Sequence, residues 1–168
     1  MGGVPALLYY VSPTQVNLEI PYGLPGGPTQ LKFTSLGATG SYPLLITGTS
    51  PAIFLVGKYA AAIDSDGTIN GSGSGFGSAT AGSYVSIYIA GGGTANADGT
   101  LQAPTQVYIG GAAAQVPYAG TNPYLVGVDQ INVSVPGRPD ERGLSDHNLY
   151  WGQQVKFAAL ASCGAVAP

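Results

Sequence analysis

The chain has 168 residues, five Lys and Arg against eight Asp and Glu, and a formal net charge of −3. Only 8% of residues are charged, about a third of the roughly 25% usual in a soluble domain. The cations Lys32, Lys58, Arg138, Arg142 and Lys156 are scattered, which excludes the clustered basic surface that nucleic-acid binding needs, and no apolar run reaches the length of a membrane span.

Hydrophobic residues make up 45% of the chain, enough for a core, and Gly 27 and Pro 13 punctuate it throughout. Such a Gly and Pro content fits either disorder or many short strands with tight turns. Alternating Val, Ile and Tyr runs between the Gly clusters argue for the strands. With no long helical period, the chain reads as all-β.

Met1-Gly2-Gly3-Val4-Pro5 shows neither a positive n-region nor a cleavage site, so it does not read as a signal peptide. Leu7–Val11 is apolar throughout and reads as a buried strand. Ser12-Pro13-Thr14 turns the chain into Gln15–Ile20. Tyr22 to Pro28 is a turn cluster. Thr29–Thr34 and Tyr42–Thr47 read as strands joined through Gly37–Gly40, and Thr49–Phe54 as a joint to a second module. Lys58–Ile63 and Thr68–Asn70 flank Asp64-Ser65-Asp66-Gly67, a hairpin signal because Gly takes a positive φ without penalty. Residues 71–82 read as a flexible loop. Ser83–Ala90 is the clearest central strand. Gly91–Gly99 is a loop ending on a second Asp-Gly, Thr105–Ile109 a strand, Gly110-Gly111 a turn, and Ala113–Tyr118 the next strand. Residues 137–148 carry much of the charge and read as a solvated loop. Leu149–Trp151 and Val155–Leu160 are candidates for a last strand or hairpin.

One pattern occurs twice. Gln15-Val16-Asn17-Leu18-Glu19-Ile20-Pro21 and Gln130-Ile131-Asn132-Val133-Ser134-Val135-Pro136 share Gln, a β-branched residue, Asn, then apolar, variable, apolar, Pro. Each alternates apolar and polar residues, the period of a half-buried strand, and each ends on Pro, which cannot continue a central ladder. A repeat of this kind predicts two related modules.

These motifs resemble a known family. Leu7–Asn17, Ser50–Phe54, Asp66–Asn70, Val85–Tyr88, Val107–Gly120 and Gln130–Pro136, in this order, are similar to the uncharacterised C-terminal domain of large secreted proteins of soil Acidobacteria (the Solibacter type). The Val107–Ala112 segment is also similar to IPT/TIG-type immunoglobulin-like domains. The resemblance covers roughly residues 4–136. It implies two tandem immunoglobulin-like β-sandwich modules and a secreted or cell-surface location. It implies no enzyme activity and supplies no catalytic residues. The modules expected are 1–50 and 51–148, with 149–168 as a C-terminal strand or tail. In the second module Thr105–Ile109 precedes the Gly-Gly turn, whereas Gly2-Gly3 follows Met1 directly, so the first module has no counterpart to that strand. An incomplete sandwich exposes an edge that invites strand addition. The segment 149–168 is a candidate for exchange with a neighbouring copy.

Candidate chemistry is sparse. Asp64 and Asp66 resemble part of a calcium loop, but Thr68 stands at the third acidic position, and turn chemistry explains the same residues. His147 beside Asp140, Glu141, Asp146 and Ser145 has the residue types of acid–base catalysis, without a nucleophile elbow. His147 and Cys163 fall short of a zinc ligand set, and a single cysteine forms no internal disulfide. Tyr150, Trp151 and Phe157 are the candidate ligand or assembly residues. The expected function is a non-catalytic extracellular structural module that self-assembles by strand addition. Its partners are further copies or neighbouring domains, and no cofactor is expected. The alternative is a carbohydrate-binding or adhesion module that stacks Tyr and Trp on polysaccharide.

Overall fold

The computed structural model describes residues 1–137 and the backbone of the strand Lys156–Phe157. Among the described residues the chain is all-β, with no helix. It divides into two compact units, Met1–Gly48 and Thr49–Pro168.

In the first unit, β1 (Leu7–Val11) and β2 (Val16–Glu19) pair antiparallel, with Leu8 opposite Leu18 and Val11 opposite Val16. Ser12 closes their turn: its Oγ accepts from the amides of Thr14 at 3.3 Å and Gln15 at 3.0 Å, a local bond that favours turns over strands. β3 (Gly27–Ser35) and β4 (Ala38–Ile46) form a second hairpin, running from Gly27 opposite Ile46 to Ser35 opposite Ala38. Its turn is Leu36-Gly37, with φ of 49° and 82°. Two positive φ values make the turn whose twist matches that of the strands. The connection therefore falls earlier than the Gly37–Gly40 segment the sequence suggests. Leu36 occupies a conformation that a branched side chain ordinarily avoids, which is why the sequence conceals it. The two hairpins belong to separate two-stranded sheets.

The second unit carries β5 (Ala52–Ile53), β6 (Leu55–Val56), β7 (Tyr59–Ala60), β8 (Ala62–Asp64), β9 (Ile69–Asn70), β10 (Phe76–Gly77), β11 (Tyr84–Ala90), β12 (Val107–Ile109), β13 (Ala112–Thr121), β14 (Asp129–Ser134) and β15 (Lys156–Phe157). Their main sheet runs β10-β9-β8-β11-β14-β13-β12-β15, with β5 also on β11. β11 is central: it pairs β14 from Tyr84 opposite Ser134 to Ile89 opposite Asp129, and its other side pairs β8 and β5. β13 changes register between Gln115 and Tyr118. Pro117 sits in that bulge, where a residue without an N–H is tolerated within a sheet. Residues 71–82 are not a plain loop. β10 pairs parallel to β9, and the Gly71 amide donates to Gly77 O at 2.8 Å.

Alternation sorts the second unit's side chains. Val85, Ile87 and Ile89 of β11 and Ile131 and Val133 of β14 point into one core. Val135, Val107, Ile109, Ala62 and Ala79 join them. The first unit differs. Among residues 1–48, Met1 alone is buried, and the expectation that Leu7–Val11 is buried is not met: all five side chains are exposed. The reason is physical. Strand side chains stand off the two faces of a sheet, and the buried cluster onto which the second unit's strands pack takes no residue from 1–48.

Truncating a filled core site removes transfer energy and leaves a cavity. Ile131→Ala is therefore expected to destabilise the second unit by about 3 kcal/mol. Val16→Ala, its repeat counterpart on an exposed face, should change stability by about 0.5 kcal/mol or less. Urea unfolding of the two variants, followed by circular dichroism, checks the contrast.

Candidate functional site: the open pair of repeat strands

The repeat extends from sequence into geometry. Gly2 and Gly3 have φ of 53° and 84°; Gly110 and Gly111 have 58° and 86°. The Gly110-Gly111 turn joins β12 to β13 with Ile109 opposite Ala112. At the first turn Met1 and Val4 face each other in the same way: the Met1 N-terminus donates to Val4 O at 2.6 Å and the Val4 amide to Met1 O at 2.8 Å. Superposing the turns places Leu8 on Val116 and Tyr10 on Tyr118. This aligns Val4-Pro5 with Ala112-Ala113 and Leu8-Tyr9 with Val116-Pro117. The register irregularity also recurs, between Leu8 and Tyr10 in β1 and between Gln115 and Tyr118 in β13.

The polar face of the motif repeats as well. Gln15 Nε2 donates to Asn17 Oδ1 at 2.7 Å, and Gln130 Nε2 donates to Asn132 Oδ1 at 2.8 Å. Residues two apart on a strand share a face, so a Gln-x-Asn sequence builds this bond locally. Asn132 Oδ1 also accepts from Ser86 Oγ of β11 at 2.9 Å. Asn17 has no such neighbour among the described residues, and it is exposed.

Burial separates the two copies. Ile131 and Val133 are 0% exposed and Val135 1%, whereas Val16 is 52% and Ile20 51% exposed. Leu18, the counterpart of Val133, is half-buried. One motif with one internal geometry is thus a finished core element in one unit and a largely exposed strand in the other. The first unit holds only two charged side chains, Glu19 and Lys32. Tyr9 Oη donates to Glu19 Oε2 at 2.8 Å, and that bond to the carboxylate raises the phenol pKa.

The Asp64–Thr68 turn uses its carboxylates internally. Asp66 Oδ1 accepts from the Thr68 amide at 2.9 Å and from Thr68 Oγ1 at 2.7 Å. Asp98 and Thr100 make the same pair of bonds, at 3.0 Å and 2.6 Å. These bonds hold the Asp66 and Asp98 pKa values below the usual carboxylate range. Asp64 is buried instead. Its Oδ1 accepts from Asn70 Nδ2 at 2.8 Å, and its Oδ2 has no hydrogen-bond partner among the described residues. A Cβ on Gly77 would stand 2.8 Å from that oxygen and collide with Thr68 Oγ1, so glycine alone fits there. Burial raises the Asp64 pKa, and the Asn70 bond opposes the rise. Among the described residues, no group of three or more His, Cys, Asp and Glu comes together.

The remaining candidates divide. Tyr150, Trp151, His147 and Cys163 lie outside the described residues. The backbone of Lys156–Phe157 pairs with β12, Phe157 opposite Val107. Two features had no sequence signal. Tyr59 packs on Phe76 with ring centroids 4.9 Å apart and bonds Ser72 through its hydroxyl, pinning the glycine-rich segment. Tyr124, 89% exposed, stands on a turn closed by Asn122 Oδ1, which accepts from the Tyr124 and Leu125 amides at 2.9 Å each. A cleft lined by Pro51, Ile89, Leu101 and Pro104 holds about 20 Å³, room for one water and far below the roughly 300 Å³ of small-molecule sites.

Comparison with protein-family models, curated proteins and solved structures gives no match for this chain.

The charged Asp64 carboxylate opposes folding, because a group whose pKa is raised in the folded state adds stability at low pH and loses it as pH rises. Asp64→Asn removes that charge and keeps an oxygen for Asn70. The variant is expected to exceed the parent in stability by on the order of 1 kcal/mol at neutral pH, because it removes the buried charge, although its amide nitrogen inherits the unpartnered position. The gap should close as pH falls through the raised Asp64 pKa and the parent becomes protonated. Asp129, also raised by burial, titrates in both proteins and cancels. Thermal unfolding from pH 7 to pH 3 checks this; a gap that ignores pH contradicts it.

Proposed function

We propose that this chain is a non-catalytic structural module of an extracellular or cell-surface protein. It is built as two immunoglobulin-like sandwich modules in tandem and assembles with further copies by β-strand addition. One observation carries the reading: the apolar row of the motif is buried in the second unit, whereas in the first Val16 and Ile20 are about half exposed and only Leu18 is partly covered. Open edges and uncovered apolar strands template pairing with another chain. Charge supports it too. Glu19 and Lys32 cancel in the first unit, so little repulsion opposes the approach of a second copy. Lys156–Phe157 pairs with β12 of its own chain. The same pairs made between copies would exchange residues 149–168 and link neighbours.

A second reading rests on Tyr124. An exposed ring fixed on an ordered turn offers a flat apolar surface with a polar rim, suited to stacking on a sugar ring. Polysaccharide that raises the unfolding temperature of the whole chain, in a manner lost in Tyr124→Ala, would favour this reading.

Light scattering across a range of concentrations tests assembly. The whole chain is expected to gain mass with concentration, and Val16→Lys, which places a charge on the uncovered strand, to return it to the monomer mass. Loss of assembly on removing residues 149–168 would assign the donor strand to that segment. A monomer at every concentration sinks the reading.

A further inference from the structure

Unit two shows what belongs beside the repeat strand. β11 lies antiparallel to β14, with Val85 opposite Val133, Ser86 opposite Asn132 and Ile87 opposite Ile131. The repeat carries those three positions of β14 onto Leu18, Asn17 and Val16. The direction of the free amides follows as well. The Val135 amide donates to Ser83 O at 2.9 Å, and antiparallel alternation turns the amides of Ile131 and Val133 to that same side. The matching amides in β2 are those of Val16, Leu18 and Ile20. Asn17 and Glu19, opposite Tyr10 and Leu7, face β1.

We propose that the edge of β2, unpaired among the described residues, is an acceptor for one extended strand of a different polypeptide, entering antiparallel with the pattern of β11. That pattern is Val or Ile opposite Leu18 and Val16, a serine or threonine opposite Asn17, and aromatic residues opposite Gln15 and Glu19. The hydroxyl requirement comes from Asn132, whose Oδ1 accepts from both Gln130 and Ser86. Asn17 Oδ1 already accepts from Gln15, and a carbonyl oxygen has a second lone pair to offer. In this chain Val85-Ser86-Ile87 of β11 carries the pattern and is paired on both sides, with β14 and with β8 and β5, and residues 149–168 hold no Val/Ile-Ser/Thr-Val/Ile run, so neither β11 nor that segment of a second copy is the donor. The inference therefore goes beyond self-assembly and does not need it.

The probe is a synthetic peptide with the sequence Ser83–Ala90, flanked by lysines for solubility and added to the whole chain. Saturable binding is expected, with amide exchange slowed at least about tenfold at Val16 and Leu18 and unchanged at Asn17 and Glu19. A peptide with proline in place of Ile87 loses a ladder donor and should not bind. Asn17→Ala should weaken the parent peptide roughly fivefold, the worth of one hydrogen bond, and leave a peptide carrying alanine for Ser86 unaffected. Asn17 is exposed, so the variant keeps its fold. Protection at Val16 and Leu18 in a chain that scatters as a monomer would uphold the acceptor while removing self-assembly. Absence of saturable binding, equal binding of the proline peptide, or protection confined to the second unit would each overturn the acceptor.

Discussion

An apolar row on a β-strand is stable only when other chain segments remove it from water, and the rest of this molecule depends on how far that condition is met. The driving force is roughly 25 cal/mol for each Å² of apolar surface removed. In the second unit the row of Ile131 and Val133 on β14, continued by Val135 just beyond it, packs into one cluster with side chains of β11, β12 and β8 and disappears from the surface. In the first unit the same row lies on a two-stranded sheet. Its backbone is equally regular, down to the Gly-Gly turn and the bulge that follows. Regular backbone geometry and burial are thus separable here, and the difference between the units lies in their neighbours.

The polar half of the motif has a different economy. The Gln-to-Asn bond forms between residues two apart, so it survives in both units whatever surrounds them. It fixes the Asn amide and leaves its oxygen facing sideways. In the second unit a serine 46 positions away in sequence completes the arrangement. A local bond thereby prepares a long-range one. This preorganisation also suits an acceptor for an incoming strand, since the side chain needs no reordering on contact.

The Asp-Gly-Thr turns show the same division of labour. The letters mark the first as a hairpin turn and the second as the end of a loop, and both form the same pair of bonds from Asp to Thr. The carboxyl that stands out is Asp64, buried beneath Gly77 with one oxygen unpartnered. Its environment is built by Asn70 and by the parallel contact of β9 with β10, which no local pattern announces. Asp64 and Asp66 were adjacent candidates for a single cation site. The structure gives them separate partners, one in the interior and one in an exposed turn.

The amino-acid sequence alone carries the all-β character, the positions of β2, β11, β12 and β14, the Asp-Gly turns, and the repeat with its Gly-Gly turns. Each rests on chemistry within a few residues: alternation, positive φ at glycine, missing N–H groups at proline. It did not place the β3–β4 turn, because Leu36 takes a positive φ that its side chain argues against. It misjudged Leu7–Val11, because an apolar run states a preference for burial and cannot supply the covering layer. Which copy of the repeat is covered is settled by long-range packing. That outcome depends on side chains from Ala62 to Val135 meeting in one cluster, and distant packing of this kind leaves no periodicity in any one strand.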